Sequence, residues 1–495
     1  MTPHNCPPSR PSRKALHSAR GAPGGVGHGA GATHGLSGPE PGPARALVRT
    51  APTSDRAATS VDGQVRNVSD AQFVLTWRLS RNGEHAPHRS GAKKHKETSV
   101  SEKTLGVGVI SLGWMGRLHT RGYKTLAEKF PELDARIRLV SVCDPVEANQ
   151  AFATEHLGFA RAVAGYQELL DDPEVDVVSI CSPNYLHREI ALATVAAGKP
   201  FWIEKPMGTS AAQSREIAEA AAAAGLVTSV GFNYRHTPAI EKAREVIRSG
   251  RLGRITNVRC WLIADYASSP LGPLTWRYDP DKAGSGVVGD LMSHGADLVQ
   301  YLCGRISSVS ALTDTFITER PIPTKVGVGH SGWEVSDELG PVGNEDYVAM
   351  IARLDSGAVG TFESSRVSVG PRAEYIIEVY GTDGSLRWNF EHLNDLEVCL
   401  GADNEFQGYT RVMAGPTFPN FSRFQPGAGT SMGFDDLKAI EAAQFIESVL
   451  TGKQLAPSAA DGWAAAEVDQ ATVASARDGQ WHDVAPVTGP TTYDA

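Results

Sequence analysis

The feature that most constrains the fold is the stretch Leu105-Gly106-Val107-Gly108-Val109-Ile110, followed directly by Ser111-Leu112-Gly113-Trp114-Met115-Gly116. The first six residues are apolar and β-branched or glycine, the pattern of a strand buried on both faces. A helix is expected from Arg117 onward. In a dinucleotide-binding turn the second glycine lets the backbone approach a pyrophosphate and the third allows the helix to pack on the strand, while the helix N-terminus presents free N–H groups. Gly113, Trp114, Met115 and Gly116 are therefore candidate cofactor-binding residues. Ser111 stands where such turns have their first glycine, so the tight turn must be made by a residue with a side chain. A strand of this kind needs parallel neighbours and crossover helices on both sides.

The following residues supply them. Leu139–Cys143 reads as a second strand, ending at Asp144, a carboxylate that can accept the adenosine ribose hydroxyls and repel a 2′-phosphate. The alternative is a strand-end turn before Pro145. Asp144 lies 28 residues beyond Gly116, with the insertion Ala127–Glu132 lengthening the crossover, and no arginine follows it closely. NAD is thus favoured over NADP. Val175–Cys181 is a further buried strand, ending in Ser182-Pro183-Asn184, with His187 in the first turn of an Ala-rich helix. Phe201-Trp202-Ile203 then ends at Glu204-Lys205-Pro206, where proline terminates the ladder and Lys205 is left at the carboxyl edge of the sheet. A helix over 211–224 leads to the strand Val227–Val230. The alternation predicts an α/β fold with a doubly wound parallel sheet over residues 101–231.

Length exceeds one core, so a second domain is expected over 232–485, with a flexible end at 486–495. The net charge of −9 conceals an asymmetry: residues 1–100 hold 14 Lys+Arg against 6 Asp+Glu, and the remainder 33 against 50. An acidic body argues against nucleic acid and anionic membrane as partners, and no apolar run is long enough to span a bilayer. The six cysteines form no Cys-x-x-Cys pair, pointing to a reducing cytoplasm and no structural metal. Residues 1–100 carry seven of the fifteen histidines at no metal-site spacing and are rich in Gly, Pro, Ser and Arg. They are expected to be disordered, and the native start is expected near Val100 or Ser101, with the upstream residues an over-long gene call.

Taken together, Gly113-x-x-Gly116, Asp144, Ser182-Pro183-Asn184-x-x-His187 and Glu204-Lys205-Pro206 resemble, in order and spacing, the glucose–fructose oxidoreductase / inositol dehydrogenase / MocA family. The resemblance covers about residues 104–485. Within that family, Ser269–Arg277 and Phe316–Pro321 look most like the levoglucosan dehydrogenase branch, beside the inositol 2-dehydrogenases.

The second half carries another chemical cluster: Gly231–Arg235, Trp276-Arg277, Gly284-Ser285-Gly286, and Asp290-Leu291-Met292-Ser293-His294-Gly295-Ala296-Asp297. On a helix Asp290 and His294 share a face, as a surface pair or as part of a site. The resemblance places them at a sugar site. It implies an NAD-dependent oxidoreductase acting on a secondary hydroxyl of a sugar, anhydrosugar or inositol. In this reading His294 is the general base, Lys205 stabilises developing alkoxide, and Asp290 binds a neighbouring hydroxyl and orients His294. Ser182, Asn184, His187, Glu204, Lys205, Trp276 and Arg277 join the cofactor end, and Lys205, Arg235, Asp290 and His294 contact substrate; Asp297 is structural. A glycosidase of the same fold and a catalytically silent NAD-binding regulator are the alternatives. Beyond Gly304, alternating strands predict an α+β domain with an open antiparallel sheet, over which the resemblance implies a homodimer or homotetramer. Residues 321–346 read as a long loop.

Overall fold

A computed structural model describes residues 103–325, 327, 332–401 and 408–493. The expected disordered tail lies outside the described residues.

The first half is the expected parallel sheet. Its strands are β1 (Lys103–Ile110), β2 (Ala135–Cys143), β3 (Arg161–Val163), β4 (Val177–Ile180), β5 (Phe201–Ile203) and β6 (Thr228–Val230). They lie in the order β3-β2-β1-β4-β5-β6. Strand order therefore reverses between β1 and β4, the switch point where such sheets open a ligand crevice. The helices α1 (Trp114–Lys129), α2 (Glu147–Phe152), α3 (Tyr166–Leu170), α4 (Asn184–Ala196) and α5 (Ala211–Ala223) cross between the strands. Val107, Val109, Val177, Val178, Ile180, Phe201, Trp202 and Ile203 are fully buried, as expected of strands covered on both faces.

After α6 (Pro238–Arg248) comes β7 (Ile255–Ala264), then α7 (Pro280–Ala283), a π-helical turn Val288–Met292 and α8 (Ser293–Cys303). The remaining strands are β8 (Ile306–Asp314), β9 (Glu319–Lys325), β10 (Glu334–Pro341), β11 (Tyr347–Leu354), β12 (Val359–Ser365), β13 (Ala373–Gly381), β14 (Gly384–Asn389), β15 (Asp395–Leu400) and β16 (Thr410–Met413). The short α9 (Phe421–Phe424), α10 (Phe434–Thr451), α11 (Ala459–Asp478) and β17 (His482–Asp483) complete the order. Among the described residues a second sheet runs β16-β15-β14-β13-β7-β12-β11-β8-β17, antiparallel except for the β7–β12 pair. Its alternation is plain in β11, where Val348, Met350, Ala352 and Leu354 are buried while Ile351 and Arg353 are exposed.

Three expectations change. Residues 321–346 are not a bare loop, because β9 and β10 pair as a two-stranded ribbon. Pro321 and Pro323 remove ladder donors from β9, and the register is irregular beside Val335, so strand composition is masked in the sequence. The chain end does not trail free from residue 486. Thr492 accepts a hydrogen bond from Arg235 and donates to Asp461, and Tyr493 is buried at 4% exposure. The final helices also do not stay with the second domain: α10 packs on α1, and α11 packs on α5 as well as α8 and β8. The small residues of α11 permit this, since Ala459, Ala460, Ala464 and Ala465 join the core of the parallel sheet. No helix among the described residues is long and apolar enough to cross a membrane.

Candidate active site

The turn after β1 has the strained geometry its glycines imply. Ser111 has φ +72°, a left-handed conformation that costs a residue with a Cβ about 1 kcal/mol, and its N–H is held by the Cys143 carbonyl at 2.7 Å. Gly116 has no freedom to be anything else, since a Cβ there would sit 2.0 Å from the Ser111 carbonyl oxygen. Gly113 differs: a Cβ would meet no protein atom nearer than Ser111 Oγ at 4.0 Å. Protein packing thus leaves open the space above Gly113. No side chain caps α1 at its N-terminus, and at the end of β4 the buried Ser182 Oγ has no protein partner. An open cradle, free helix N–H groups and an orphaned hydroxyl at the switch point fit a dinucleotide.

Around this cradle, Trp114 is half exposed and stacks on Phe434 at 5.8 Å between ring centroids, with Met115 half-buried beside it. Asp144 is buried. Its carboxylate accepts from the Leu112 N–H (2.7 Å), the Val146 N–H (3.0 Å) and Asn149 Nδ2 (3.1 Å), so it holds the glycine turn to the end of β2. Asn184 opens α4 and donates to the Ala283 carbonyl at 3.4 Å.

At the end of β5, Lys205 donates through Nζ to the Asp290 carbonyl oxygen and, at 3.1 Å, to Asp290 Oδ1. The other carboxylate oxygen accepts from the Tyr266 hydroxyl at 2.6 Å. Burial alone would raise the Asp290 pKa, but the Lys205 and Arg277 charges and these hydrogen bonds outweigh it and hold the carboxylate well below its usual range. His294 begins α8, one turn beyond. Its ring meets Tyr234 edge-on at 4.7 Å between centroids, and Tyr375 fixes its backbone carbonyl at 2.7 Å. Burial, and then the Lys205 charge, push the imidazole well below its ordinary pKa. The ring is therefore neutral throughout the physiological range rather than titrating within it. Asp290 does not orient His294: its carboxylate is bound by Lys205 and Tyr266, because the π-helical turn displaces the two side chains from simple i, i+4 stacking.

Trp276 and Arg277 form a helical turn, Trp276–Tyr278, with the Arg277 guanidinium 4.6 Å from the Trp276 ring centroid and Tyr185 of α4 edge-on at 6.1 Å. Asn344 holds this turn by donating to the Arg277 carbonyl (2.8 Å) and the Ser285 carbonyl (3.1 Å), and Glu345 accepts from the Gly286 and Val288 N–H groups.

Three candidates sit elsewhere. Arg235 points away from the site into a closed cluster, donating to both oxygens of Asp297 and to Thr492, with Asp461 3.6 Å away. Glu204 faces the interior and accepts from His119 Nε2 (2.8 Å) and Lys438 Nζ (2.6 Å). His187 lies between the carbonyl oxygens of Pro206 (Nδ1, 2.9 Å) and Ser182 (Nε2, 2.7 Å), tying the lysine turn to the Ser-Pro-Asn turn rather than reaching into the crevice. Sequence reasoning missed Tyr266, Asn344, Glu345 and Lys438, none of which belongs to a short motif. Only the position of Tyr266 just past a strand end offered any signal. Among the described residues no group of three or more His, Cys, Asp or Glu is arranged to hold a metal ion.

Comparison with known proteins bears out the fold. Residues 105–232 match the "Oxidoreductase family, NAD-binding Rossmann fold" and residues 240–387 the "GFO/IDH/MocA C-terminal domain". Levoglucosan dehydrogenase of Pseudarthrobacter phenanthrenivorans is 34% identical over 394 residues, covering 78% of this chain and all of that protein. This chain belongs to the GFO/IDH/MocA oxidoreductase family. Myo-inositol 2-dehydrogenase of Thermotoga maritima is 28% identical over 283 residues, 57% of this chain and 74% of that protein. A solved levoglucosan dehydrogenase in complex with NADH and levoglucosan superposes with a TM-score of 0.73 at 33% identity, over 77% of this chain and all of that one. As a family member with this crevice, the chain is an NAD-binding oxidoreductase.

Proposed function

We propose that the chain is an NAD-dependent dehydrogenase that oxidises a secondary hydroxyl of a sugar, anhydrosugar or inositol. The observation that carries this is the Lys205–Asp290–Tyr266 arrangement at the carboxyl edge of the parallel sheet, with a neutral His294 one helical turn away. When bound, the nicotinamide supplies the hydride acceptor. The protein must manage the proton and the charge. Lys205 holds a positive charge where an alkoxide develops, which is worth most in a site shielded from water. His294, neutral, takes the hydroxyl proton. Asp290, kept ionised and fixed by Tyr266, accepts from an adjacent hydroxyl and holds Lys205 in place. Trp276 and Arg277 position the nicotinamide end and the ring of the substrate. Asp144 at the end of β2 supports NAD over NADP, since its carboxylate repels a 2′-phosphate.

Two features support a cytoplasmic homo-oligomer. The described cysteines are all free thiols. The outer face of the large sheet exposes Leu312, Ile351 and Val359, and Leu312 and Ile351 line a cavity of about 540 Å³ with Arg259 and Glu363, so a second copy turned by a two-fold axis meets both apolar surface and opposite charge. Size-exclusion chromatography with light scattering tests this, and a monomer at micromolar concentration excludes it.

Activity is tested by NADH absorbance with levoglucosan, glucose, xylose and inositols. NADH formation on a member of the panel, abolished by Lys205→Ala with NAD still bound, is the expected result. Retained turnover in that variant refutes the assignment, and a hydrolysed glycoside with no net NADH indicates the glycosidase reading.

A further inference from the structure

Glu204 and Lys205 are consecutive at the end of β5, and their side chains leave in opposite directions. Lys205 reaches Asp290, while Glu204 enters the buried interior between α1 and α10. There a cation from the far end of the chain meets it. Lys438, with no solvent exposure, donates to Glu204 Oε1 at 2.6 Å and lies 2.8 Å from Glu441 Oε2, itself fully buried. Its ammonium also lies 5.2 Å from the ring centroid of Trp202, two residues before Glu204, whose ring is stacked on His119 at 3.4 Å and also meets Tyr123 (5.8 Å) and Phe445 (6.5 Å). A hydrogen-bonded chain closes the far side: Tyr123 and Ser179 contact each other at 2.9 Å, Ser179 and His119 Nδ1 at 3.1 Å, and His119 Nε2 donates to Glu204. Gly231 is part of the fit, since a Cβ there would lie 2.6 Å from Glu204 Oε2.

We infer that Lys438 is a positioning residue: by gripping Trp202 and Glu204 it fixes the end of β5 and thereby the place of Lys205. The inference rests on Lys205 being the catalytic lysine proposed above. A buried carboxylate without its cation is strongly unfavourable, so without Lys438 the Glu204 side chain must move toward water or recruit a proton through His119. Either response shifts the peptide that carries Lys205. Misplacement of a catalytic group by about 1 Å lowers turnover on the order of 100-fold.

The test uses Lys438→Met, which keeps the stem without the charge, Lys438→Arg, and the double variant Glu204→Gln/Lys438→Met, in which position 204 no longer needs a cation and burial favours the protonated form of Glu441. Each is assayed on the panel polyol that the wild type oxidises, with NADH affinity followed by fluorescence titration. The expected result is a kcat for Lys438→Met lower by 10- to 100-fold, KM and NADH affinity within about threefold, and a recovery of at least fivefold in the double variant. If the single variant does not fold, the double variant is compared with Glu204→Gln alone, and turnover within about threefold of it is expected. Unchanged kcat in Lys438→Met, equal losses of kcat and NADH affinity, or a double variant no better than the single one overturns the inference. Failure of Lys205→Ala to abolish turnover instead removes the functional reading on which it rests.

Discussion

Asp290 and Asp297 lie seven residues apart on one continuous helical stretch, and each faces a cation from the first half of the chain. Asp297 and Arg235 are each 3% exposed at their side chains, and the pair is closed by Thr492, Tyr493 and Asp461. Asp290 keeps 37% of its side-chain exposure and Lys205 14%, with Tyr266 as the second partner of the carboxylate. A saturated pair has nothing left to offer a ligand and acts as a fastening. A pair with open access keeps donors and acceptors for substrate. Two aspartates on one helical stretch thus differ in access, one sealed with its arginine and the other open beside its lysine.

The sharpest way to break this comparison is to remove both cations. Lys205→Met is expected to lower turnover about a thousandfold with little change in urea midpoint. Arg235→Met, which leaves Asp297 and Asp461 buried together, is expected to cost about 3–5 kcal/mol of stability while the folded fraction keeps its KM. A stable Arg235→Met with selectively impaired substrate binding reverses the assignment. Tyr493→Ala probes the chain end that seals the closed pair. A loss of about 3 kcal/mol in denaturant unfolding is expected, against none if the terminus were loosely attached. Tyr266→Phe probes the open pair and is expected to reduce kcat/KM about tenfold without shifting the melting temperature, since one hydrogen bond to a charged group is removed.

The smallest effect concerns pH. Burial raises the Glu441 carboxyl to about 7, with Lys438 opposing. Between the unfolded value of 4.5 and about 7 the unfolded chain is ionised there while the folded chain holds the proton. Glu441 therefore favours folding least above pH 7, and its contribution falls as pH rises through that window. His119, lowered to about 4 chiefly by burial, acts with the opposite sign between about 4 and 6.5. Glu441→Gln isolates the first effect: its stability relative to wild type is expected to rise from pH 5 to pH 8 in parallel urea titrations. A flat difference shows that the buried cluster holds Glu441 ionised.

The acid limb of kcat/KM supplies one more check. With His294 held well below its ordinary pKa, no limb is expected near 6.5, and a limb there that vanishes in His294→Ala contradicts the burial of the ring.

The parallel sheet was legible because strands buried on both faces leave continuous apolar runs, and because Gly116 and the Lys205-Pro206 strand end answer local backbone demands. Lys205 was readable from the strand end that carries it, whereas Asp290 and His294 could be read from spacing only as a pair on one helix face, and the family resemblance made them site candidates. Arg235 was misplaced because a charge beside a site and a charge in a sealed cluster look alike until its partners are known. Those partners, Asp297, Asp461 and Thr492, lie as far as 257 residues along the chain from Arg235. The β9–β10 ribbon was hidden by its prolines, and the docked terminus by its polar composition.

The sequence by itself determined the cofactor turn, the alternation of buried strands and helices in the first half and the lysine at the sheet edge, because these depend on short-range patterns. Only the tertiary structure decided which aspartate is open and which is sealed, that Tyr266 rather than His294 partners Asp290, and that α10 returns Lys438 to the end of β5. Those outcomes depend on which groups lose their water, and burial is a property of the whole packed chain.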